Sequence, residues 1–357
     1  MTWSSECRRV VALAAVVGAG VAIGAAVRPR VHALSPERSG DAELSQRVRD
    51  FITPGSRDRL VVAAVDQYHT RIAGFGAGQA SEFEIGSLTK TMTGLLLSEA
   101  IERGEVSETT ALGSLLDLDG SPAARISLLE LATHHSGLPS VGGGARDLLG
   151  VFWRVVHRQD PYAGFDEDEV VMQARRASLR VRGFEYSNVG FALLGQALGR
   201  AAHSDWPSLM TERVFAPAGM THTRIPVSRR EVADAMRGWS TSGRPAQPWV
   251  LEGYAPAGAV RSTMGDMVCY ARYLLSGGAV VDRTMKKAAD VVDGTRIGYA
   301  WVIEPNGVIW HNGGTGGFSS ILLLDRAHGR AVIVLSNTAV EVDSLGNRLM
   351  EGLWARK

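Results

Sequence analysis

Cysteine and lysine are both scarce in this sequence of 357 residues, and each scarcity limits what the protein can do. Of its two cysteines only Cys269 lies in the body of the chain, so no disulfide bond can form there. Lysine accounts for four of the 38 basic residues, and every other one is arginine. The net charge is only +1, which gives no electrostatic reason to expect nucleic acid or a strongly anionic partner. A lysine in the interior therefore needs a chemical explanation.

An uncharged run at residues 10–27 follows Arg8 and Arg9 and is followed by further arginines. Such a run is long for the core of a signal peptide and just sufficient to cross a bilayer. We therefore expect residues 1–33 to be a signal peptide, with a small-residue cleavage site at residues 31–33, or a membrane anchor. A buried core helix is the less favoured alternative. In either case we expect the rest of the chain to be exported. It would be secreted, or it would be anchored to the cell membrane and face outward.

The two ends of the remaining chain carry the β-strand patterns. Near the start, β-branched residues at 60–65 and a returning segment at 71–76 predict a strand pair. Near the end, turn residues between apolar segments predict two more pairs, at residues 297–303 with 308–311 and 319–324 with 331–335. An amphipathic segment at residues 340–354 predicts a final helix.

The simplest assembly joins both chain ends in one antiparallel sheet and makes the middle of the chain a helical insertion. The predicted class is α+β, an α/β sandwich with helices flanking the sheet. We expect residues 34–50 to be a linker followed by a short leading helix, and residues 51–357 to be one domain. Its sheet subdomain would span about 51–112 and 258–357, and its helical subdomain about 113–257. A substrate cleft is expected where the two subdomains meet.

Ser87 directly follows Gly86 at the start of a predicted helix, where backbone N–H groups favour developing negative charge. Lys90 is three residues further on, so its amine lies on the same helix face as the Ser87 hydroxyl. A serine needs a neighbouring base to become a nucleophile, and a buried lysine can lose its proton where an arginine cannot. We therefore predict Ser87 as nucleophile and Lys90 as its activating partner. The alternative is a helix cap beside a solvated lysine.

Tyr186 and Asn188 form a second candidate group ahead of another predicted helix. A tyrosine near a buried lysine can carry protons, and an asparagine amide can hold a substrate carbonyl. The alternative is a loop tyrosine that packs its ring, with Asn188 capping the helix.

A third group, His311-Asn312-Gly313-Gly314, ends a predicted strand. Glycines there let a substrate approach the backbone closely, so that the N–H groups of Ser87 and Gly314 could form an oxyanion hole. His311 would supply polarity or positive charge at the strand edge. The alternative is an ordinary glycine-rich loop.

In that order, Ser-x-x-Lys, Tyr-x-Asn and a basic residue followed by x-Gly resemble the motifs of the penicillin-recognising serine hydrolases. The chain is most similar to their class C β-lactamase, D-alanyl-D-alanine carboxypeptidase and esterase branch. Residues 131–139 and the stretch from Pro256 to Thr263 also fit that branch. The resemblance covers roughly residues 50–357, and it implies the same sheet of both chain ends with a mostly helical second subdomain.

The resemblance also implies roles for the candidate residues. Ser87 would be acylated, Lys90 and Tyr186 would handle its proton, and Gly314 would complete the oxyanion hole. Substrate would lie against Asn188 and against the strand residues His311, Asn312 and Gly313. No metal and no organic cofactor is implied.

The implied reaction is hydrolysis of an amide or ester through an acyl-enzyme. The substrate would be a small molecule or peptide, namely a cell-wall D-alanyl peptide, an ester or a β-lactam. Most β-lactamases of this branch carry lysine where this chain has His311, which favours a carboxypeptidase or esterase and leaves β-lactamase as the alternative. An alternative of another class is a penicillin-binding or sensor protein without turnover, or a pseudoenzyme, because either would keep the same motifs.

Overall fold

The computed structural model describes residues 31–354 except 53–54, 56, 181–182 and 287. The strands of its main sheet are β1 (Arg38–Gly40), β2 (Leu60–Val65), β3 (Thr70–Phe75), β8 (Ala289–Val292), β9 (Thr295–Ile297), β10 (Val302–Ile303), β11 (Ile309–Gly314), β12 (Ser319–Asp325) and β13 (Arg330–Ser336). They lie in the order β1-β3-β2-β13-β12-β11-β10-β9-β8, and the neighbours pair antiparallel. Two small pairs lie outside this sheet, β4 (Glu82–Glu84) with β7 (Arg261–Thr263) and β5 (Gly238–Trp239) with β6 (Pro245–Ala246).

The centre of the main sheet joins the two ends of the described chain. β2 and β13 pair from Leu60 opposite Ser336 to Val65 opposite Ala331. Every residue of β2 is buried, because alternate side chains enter the cores on opposite faces of the sheet. The predicted α+β fold, with one antiparallel sheet built from both chain ends, is confirmed.

In the segment at residues 34–50 the expected short leading helix is present, whereas the expected linker before it contains a strand of the main sheet. β1 pairs with β3, and helix α1 (Ala42–Phe51) begins after Asp41, whose carboxylate accepts the Leu44 N–H at 2.7 Å. Leu44 and Val48 are fully buried in the core on that face of the sheet. The segment is polar in sequence because a surface helix needs only one apolar face.

Helices cover both faces of the sheet. α1 contacts α11 (Asp343–Gly352) on one face, whereas α2 (Leu88–Glu102) and α9 (Met264–Ser276) pack on the other. The remaining helices are α3 (Leu128–Ala132), α4 (Ala145–Val156), α5 (Glu167–Arg176), α6 (Asn188–Ala201), α7 (Trp206–Met210), α8 (Ala255–Gly258) and α10 (Ala279–Met285). No helix in the described part of the chain is both long and apolar enough to span a bilayer. The predicted signal or anchor run at residues 10–27 lies outside that part.

Helix α2 connects the sheet to the helical part of the molecule. It contacts β11 and β12 in the sheet and also α6, α8 and α10. Most of its residues are buried, so it is a core helix rather than an amphipathic surface helix. Residues 113–257 contain helices, loops and the small β5–β6 pair, and the division into two subdomains stays a prediction. Because Ser87 immediately precedes α2, the candidate nucleophile lies where the two parts meet.

Candidate active site

The turn before α2 places Ser87 beside strand β11. Gly86 has a φ of +53°, and a Cβ atom there would lie 2.6 Å from the amide nitrogen of Gly314. Glycine therefore meets two requirements at once, a left-handed backbone and close contact with the neighbouring strand. The Ser87 side chain makes no capping hydrogen bond to α2, so its hydroxyl is not used to start the helix. This geometry disfavours the interpretation of Ser87 as a helix cap.

Buried charges fix the strand that leads to Ser87. Arg261 on β7 is fully buried and makes ion pairs with Glu82 at 2.6 Å and with Glu84 at 2.9 Å, both on β4. Burial raises the pKa of Glu84, while the charge of Arg261 acts in the opposite direction. Breaking a buried pair of this kind typically costs about 3–5 kcal/mol, so the pairs hold β4 firmly against β7.

Lys90 is fully buried, with its amine 3.0 Å from Ser87 Oγ and 2.6 Å from the carbonyl oxygen of Ala257. It forms no ion pair with a carboxylate among the described residues. Desolvation therefore acts unopposed and lowers the pKa of Lys90 well below its ordinary value. A neutral amine beside a serine hydroxyl can accept the hydroxyl proton, which is what general base catalysis requires. The interpretation of Lys90 as a solvated residue is wrong.

Tyr186 is brought to the same point from a distant part of the chain. The amine of Lys90 lies 4.8 Å from the centre of its ring, and its hydroxyl interacts with the Ser87 side chain. Burial raises the pKa of Tyr186, and the interaction with Ser87 opposes this rise only in part. Of the two groups beside Ser87, the lysine is thus shifted toward its neutral base form and the tyrosine toward its protonated form. This difference favours Lys90 as base and Tyr186 as proton carrier.

Asn188 lies at the start of α6 with its side chain turned toward the loop that precedes α4. Its Nδ2 donates to the Tyr162 hydroxyl at 2.8 Å and approaches Ser140 Oγ at 3.4 Å. The helix cap is Ser187, whose hydroxyl accepts the Gly190 N–H at 2.9 Å. The alternative interpretation of Asn188 as the cap of this helix is therefore wrong.

His311 lies on the face of β11 that is turned toward Tyr186, with 6.3 Å between the ring centres. Burial lowers its pKa to about 3, and the nearby Lys90 acts in the same direction. With this pKa the imidazole is neutral at physiological pH, which disfavours the expectation that His311 supplies positive charge. A polar role for the neutral ring remains a prediction.

Asn312 points away from the site, and its prediction as a substrate contact is wrong. Its Nδ2 donates to Asp343 Oδ2 at 2.7 Å, at the start of α11 on the opposite face of the sheet. Successive strand residues alternate between faces, so His311 and Asn312 cannot both face the site.

Gly313 packs against the chain just before Ser87. A Cβ atom there would lie 2.0 Å from the carbonyl oxygen of Ile85, which also accepts a hydrogen bond from Ser320 Oγ at 2.8 Å. The face where a side chain would stand is thus filled by protein. A substrate contact through the main chain of Gly313 stays a prediction.

Gly314 has the orientation that an oxyanion hole needs. The Thr315 N–H donates to the carbonyl oxygen of Phe318, the residue just before β12, at 3.0 Å. Because N–H groups alternate in direction along an antiparallel strand, the Gly314 N–H points away from β12. The Gly86–Ser87 peptide lies directly beside it, as the close approach of Gly86 shows. An oxyanion hole made of the Ser87 and Gly314 N–H groups fits this arrangement and stays a prediction.

Three contacts of the site have no predicted role in the sequence. His134 stacks on Tyr186 with 4.4 Å between ring centres, and its Nδ1 accepts the Ser187 N–H at 3.1 Å. Burial lowers the pKa of His134 well below its ordinary value, so the stacked ring is neutral. Tyr162 and the Ala257 carbonyl contact Asn188 and Lys90 from separate segments. His134 and Ala257 each carried a signal, since they lie in the family-like stretches 131–139 and Pro256 to Thr263, whereas Tyr162 carried none.

Comparison with known proteins decides which family has this arrangement. The profile of the family described as Beta-lactamase matches residues 44–351. The chain belongs to the beta-lactamase family. It is accordingly a hydrolase of the serine β-lactamase-related group, and the resemblance to the penicillin-recognising serine hydrolases is confirmed.

Individual members of the beta-lactamase family are distant from this chain. A beta-lactamase of Lysobacter lactamgenus is 26% identical over 296 residues, which are 77% of this chain and 70% of the relative. The D-alanyl-D-alanine-carboxypeptidase/endopeptidase AmpH of Escherichia coli (strain K12) is 30% identical over 208 residues, 55% of this chain and 49% of AmpH. The chain thus spans about half of the length of AmpH. A solved class C beta-lactamase has a TM-score of 0.75 at 16% identity over 88% of this chain and 98% of that one, which shows a shared fold.

Proposed function

We propose that this protein cleaves an amide or ester bond through an acyl-enzyme on Ser87, as a D-alanyl peptide carboxypeptidase or an esterase. The observation that carries the proposal is the buried Lys90 amine 3.0 Å from Ser87 Oγ. A buried amine without a carboxylate partner among the described residues has a chemical use as a base and little structural value. The similarity to AmpH, a carboxypeptidase by name, supports the peptide half of the proposal.

In the proposed reaction, Ser87 Oγ attacks the substrate carbonyl carbon while its proton passes to Lys90 Nζ. The resulting oxyanion would be held by the N–H groups of Ser87 and Gly314. The C–N or C–O bond then breaks, and the leaving group takes a proton by way of Tyr186. Water attacks the acyl-enzyme through the same groups in reverse, which releases the acid and restores Ser87.

The proposed substrate contact of Asn188 uses its carbonyl oxygen. The amide nitrogen already donates to Tyr162, so the oxygen is the atom we assign to an N–H of the substrate. The neutral His311 gives no charge attraction to a carboxylate next to the scissile bond. Within the proposal this favours simple esters and disfavours both β-lactams and D-alanyl peptides, which carry such a carboxylate.

Intact-mass measurement of the full chain after exposure to a p-nitrophenyl ester and to a penicillin tests the proposal. We expect an acyl adduct on the wild type, none on Ser87→Ala, and an unchanged adduct on Ser114→Ala, which alters an exposed turn serine. An adduct that persists in Ser87→Ala would refute the nucleophile. Continuous product release supports the enzyme, whereas one stoichiometric burst would show the non-turnover penicillin-binding alternative, and no adduct a pseudoenzyme.

The proposal includes export from the cytoplasm. Its supporting observation is the arginine-flanked uncharged run at residues 10–27, which lies outside the described residues. Cell fractionation with a C-terminal tag tests it, and the mass of the recovered protein distinguishes a cleaved signal peptide from a retained anchor. Recovery of the intact chain only from the cytoplasm would contradict export.

A further inference from the structure

Helix α4 has an apolar stripe that faces solvent. Five of its large apolar side chains are about half exposed, Leu148, Leu149, Phe152, Trp153 and Val156. At about 100° per residue these positions cover a continuous arc of about 140° on the helix. The neighbouring arc, with Val151 and Val155, packs against the core. An ordinary surface helix shows the reverse arrangement, with its apolar stripe inward and polar residues outward.

This stripe contains five of the eight large apolar residues that are strongly exposed in the described chain. Outside α4, the large apolar residues that are strongly exposed among the described residues are Val31, Tyr68 and Val227. Single exposed apolar residues are normal, whereas a contiguous patch marks a surface that binds something. Gly143 and Gly144 precede the helix, and Asp147 accepts the Gly144 N–H at 2.9 Å, so the helix start is well defined.

The start of the described chain lies on the same side of the molecule as α4. His32 stacks on Trp239 with 4.1 Å between ring centres and hydrogen-bonds to the Gly243 carbonyl at 2.9 Å. Both partners belong to the β5–β6 hairpin. Four residues after Gly243, the Gln247 N–H donates to the Arg158 carbonyl at 2.9 Å, just beyond the end of α4. Four extended residues span about 13 Å, so the chain start and the end of α4 are neighbours.

The position of this chain start indicates what covers the stripe. The uncharged run at residues 10–27 ends only four residues before Val31, and four residues span at most about 14 Å. A bilayer that receives this run is thus within reach of α4. The chain just after α4 also carries basic side chains, those of His157 and Arg158. Basic side chains beside an apolar stripe with tryptophan and phenylalanine are typical of helices that lie in the interface of an anionic bilayer.

We propose that α4 is a docking helix that lies in the surface layer of a phospholipid bilayer, with Leu149, Phe152 and Trp153 inserted among the lipids. Docking holds the molecule with the β5–β6 hairpin toward the membrane. The loop that leads into α4 contains Ser140, whose side chain approaches Asn188, so the mouth of the candidate active site is near the same surface. The interaction is independent of whether Ser87 reacts.

Fluorescence quenching in the full chain tests the docking. The protein is mixed with vesicles of phosphatidylcholine and phosphatidylglycerol whose acyl chains carry bromine, which quenches tryptophans that enter the bilayer. Trp153 is the strongly exposed tryptophan among the described residues. We expect Trp153→Phe to lower the quenching at least twofold. The difference between the two proteins reports Trp153 alone, because the other tryptophans, including Trp3, are common to both.

Two further variants test whether the apolar stripe of α4 enters the bilayer. Leu149→Gln combined with Phe152→Gln keeps Trp153 but makes the stripe polar, and we expect it to remove the Trp153 contribution to quenching. Val227→Gln alters an exposed apolar residue away from α4 and is expected to change nothing. Thermal unfolding monitored by circular dichroism verifies that each variant is folded.

Two outcomes would overturn the proposal. Equal quenching of the wild type and Trp153→Phe would show that α4 does not enter the bilayer. A dimer in sedimentation velocity that the Leu149→Gln and Phe152→Gln double variant dissociates would assign the stripe to a second copy of the chain. Neither result depends on hydrolysis, so failure of docking and failure of the proposed function are distinguishable.

Discussion

The amine of Lys90 is fully buried beside a serine hydroxyl and a backbone carbonyl. This environment explains why a lysine occurs here in a chain that otherwise uses arginine. An arginine would stay charged in the same place, and it would need a carboxylate that the described surroundings of Lys90 do not provide. Such a group reduces stability and is kept for its chemistry.

Replacement of Lys90 by methionine should abolish activity and raise stability. The unfolded lysine binds a proton at neutral pH more readily than the folded one, because burial lowers the pKa in the folded state. Wild-type stability therefore rises with pH until the ordinary lysine pKa is passed, and Lys90→Met removes this dependence. We expect a melting temperature at pH 7 higher by at least about 2 °C, the effect of about 1 kcal/mol in a large domain. Turnover should fall at least about 100-fold.

Lys286→Met is the matched control for this comparison, because Lys286 is exposed. It should change neither the melting temperature nor turnover. Calorimetry of the wild type and both variants from pH 6 to pH 10 measures whether the melting temperature of the wild type rises with pH and whether Lys90→Met removes this rise. A Lys90→Met protein that is less stable than the wild type at pH 7 would contradict the account.

His311 should act as a neutral group at every pH of practical interest. Its pKa of about 3 means that the ring is deprotonated above pH 5. We expect His311→Gln to keep kcat/KM within about tenfold, the loss of about one hydrogen bond, and to leave the pH profile unchanged above pH 5. Steady-state kinetics with an ester substrate from pH 5 to pH 9 provide the measurement. An acidic limb near pH 6 that disappears in the variant would show that the imidazolium matters.

At the scale of elements, the contact between the start of α2 and the edge of β11 defines the site. Gly86 and Gly313 both lack side chains where the two segments touch, and a Cβ atom at either would meet backbone of the other segment. Strand β4, held to β7 by the buried ion pairs of Arg261, aims the chain into this contact. The oxyanion-hole geometry thus depends on Gly86, Gly313 and Arg261, none of which supplies a reacting group in the proposed reaction.

Gly86→Ala should separate Ser87 from β11. The added methyl group meets the Gly314 amide at 2.6 Å, and alanine is also strained at a φ of +53°. We expect turnover to fall at least about 100-fold, comparable to the loss of one oxyanion-hole donor. Gly104→Ala is the control at the other end of α2, with a φ of +75° but open space around the methyl group. It should cost only the backbone strain, about 1–2 kcal/mol in denaturant unfolding, at normal turnover.

At the scale of the whole molecule, the sheet part and the helical part share one core. The larger apolar cluster runs from Val61 and Ile333 in the sheet through Leu95 in α2 to Leu193 and Leu209 in the helical part. Because α2 belongs to both, neither part keeps a complete core when the other unfolds.

Unfolding should therefore be a single transition for both parts. In guanidinium chloride, tryptophan fluorescence, far-ultraviolet circular dichroism and residual turnover should lose their native signals at one midpoint, as two-state behaviour requires. The tryptophans sample both parts, since Trp301 lies beside the sheet and Trp206 starts α7. Midpoints separated by more than the error of the fit would instead show two units that fold independently.

Much of the fold and the central pair of the site follow from local patterns in the sequence. Residues 60–65 and 331–335 are apolar and β-branched because a strand covered on both faces buries every side chain, and they became neighbouring strands. Ser87 and Lys90 are one helical turn apart, so helix geometry alone brings hydroxyl and amine together. The short helix in the segment at residues 34–50 was expected, but strand β1 was not, because its three exposed residues carry no apolar pattern.

Only the tertiary structure decided which residues belong to the candidate site and which of them are protonated. The burial of a side chain depends on segments from the whole chain. The lowered pKa values of His311 and Lys90 therefore cannot be predicted from the residues that flank them in the sequence. Strand alternation separates His311 from Asn312, but the packing of α2 and α11 on opposite faces determines which of them meets the nucleophile. By itself the sequence determined the family and indicated the candidate nucleophile pair, because ordered motifs carry the first and local helix geometry carries the second. The folded molecule decided which neighbours complete the site, because distant segments meet only there.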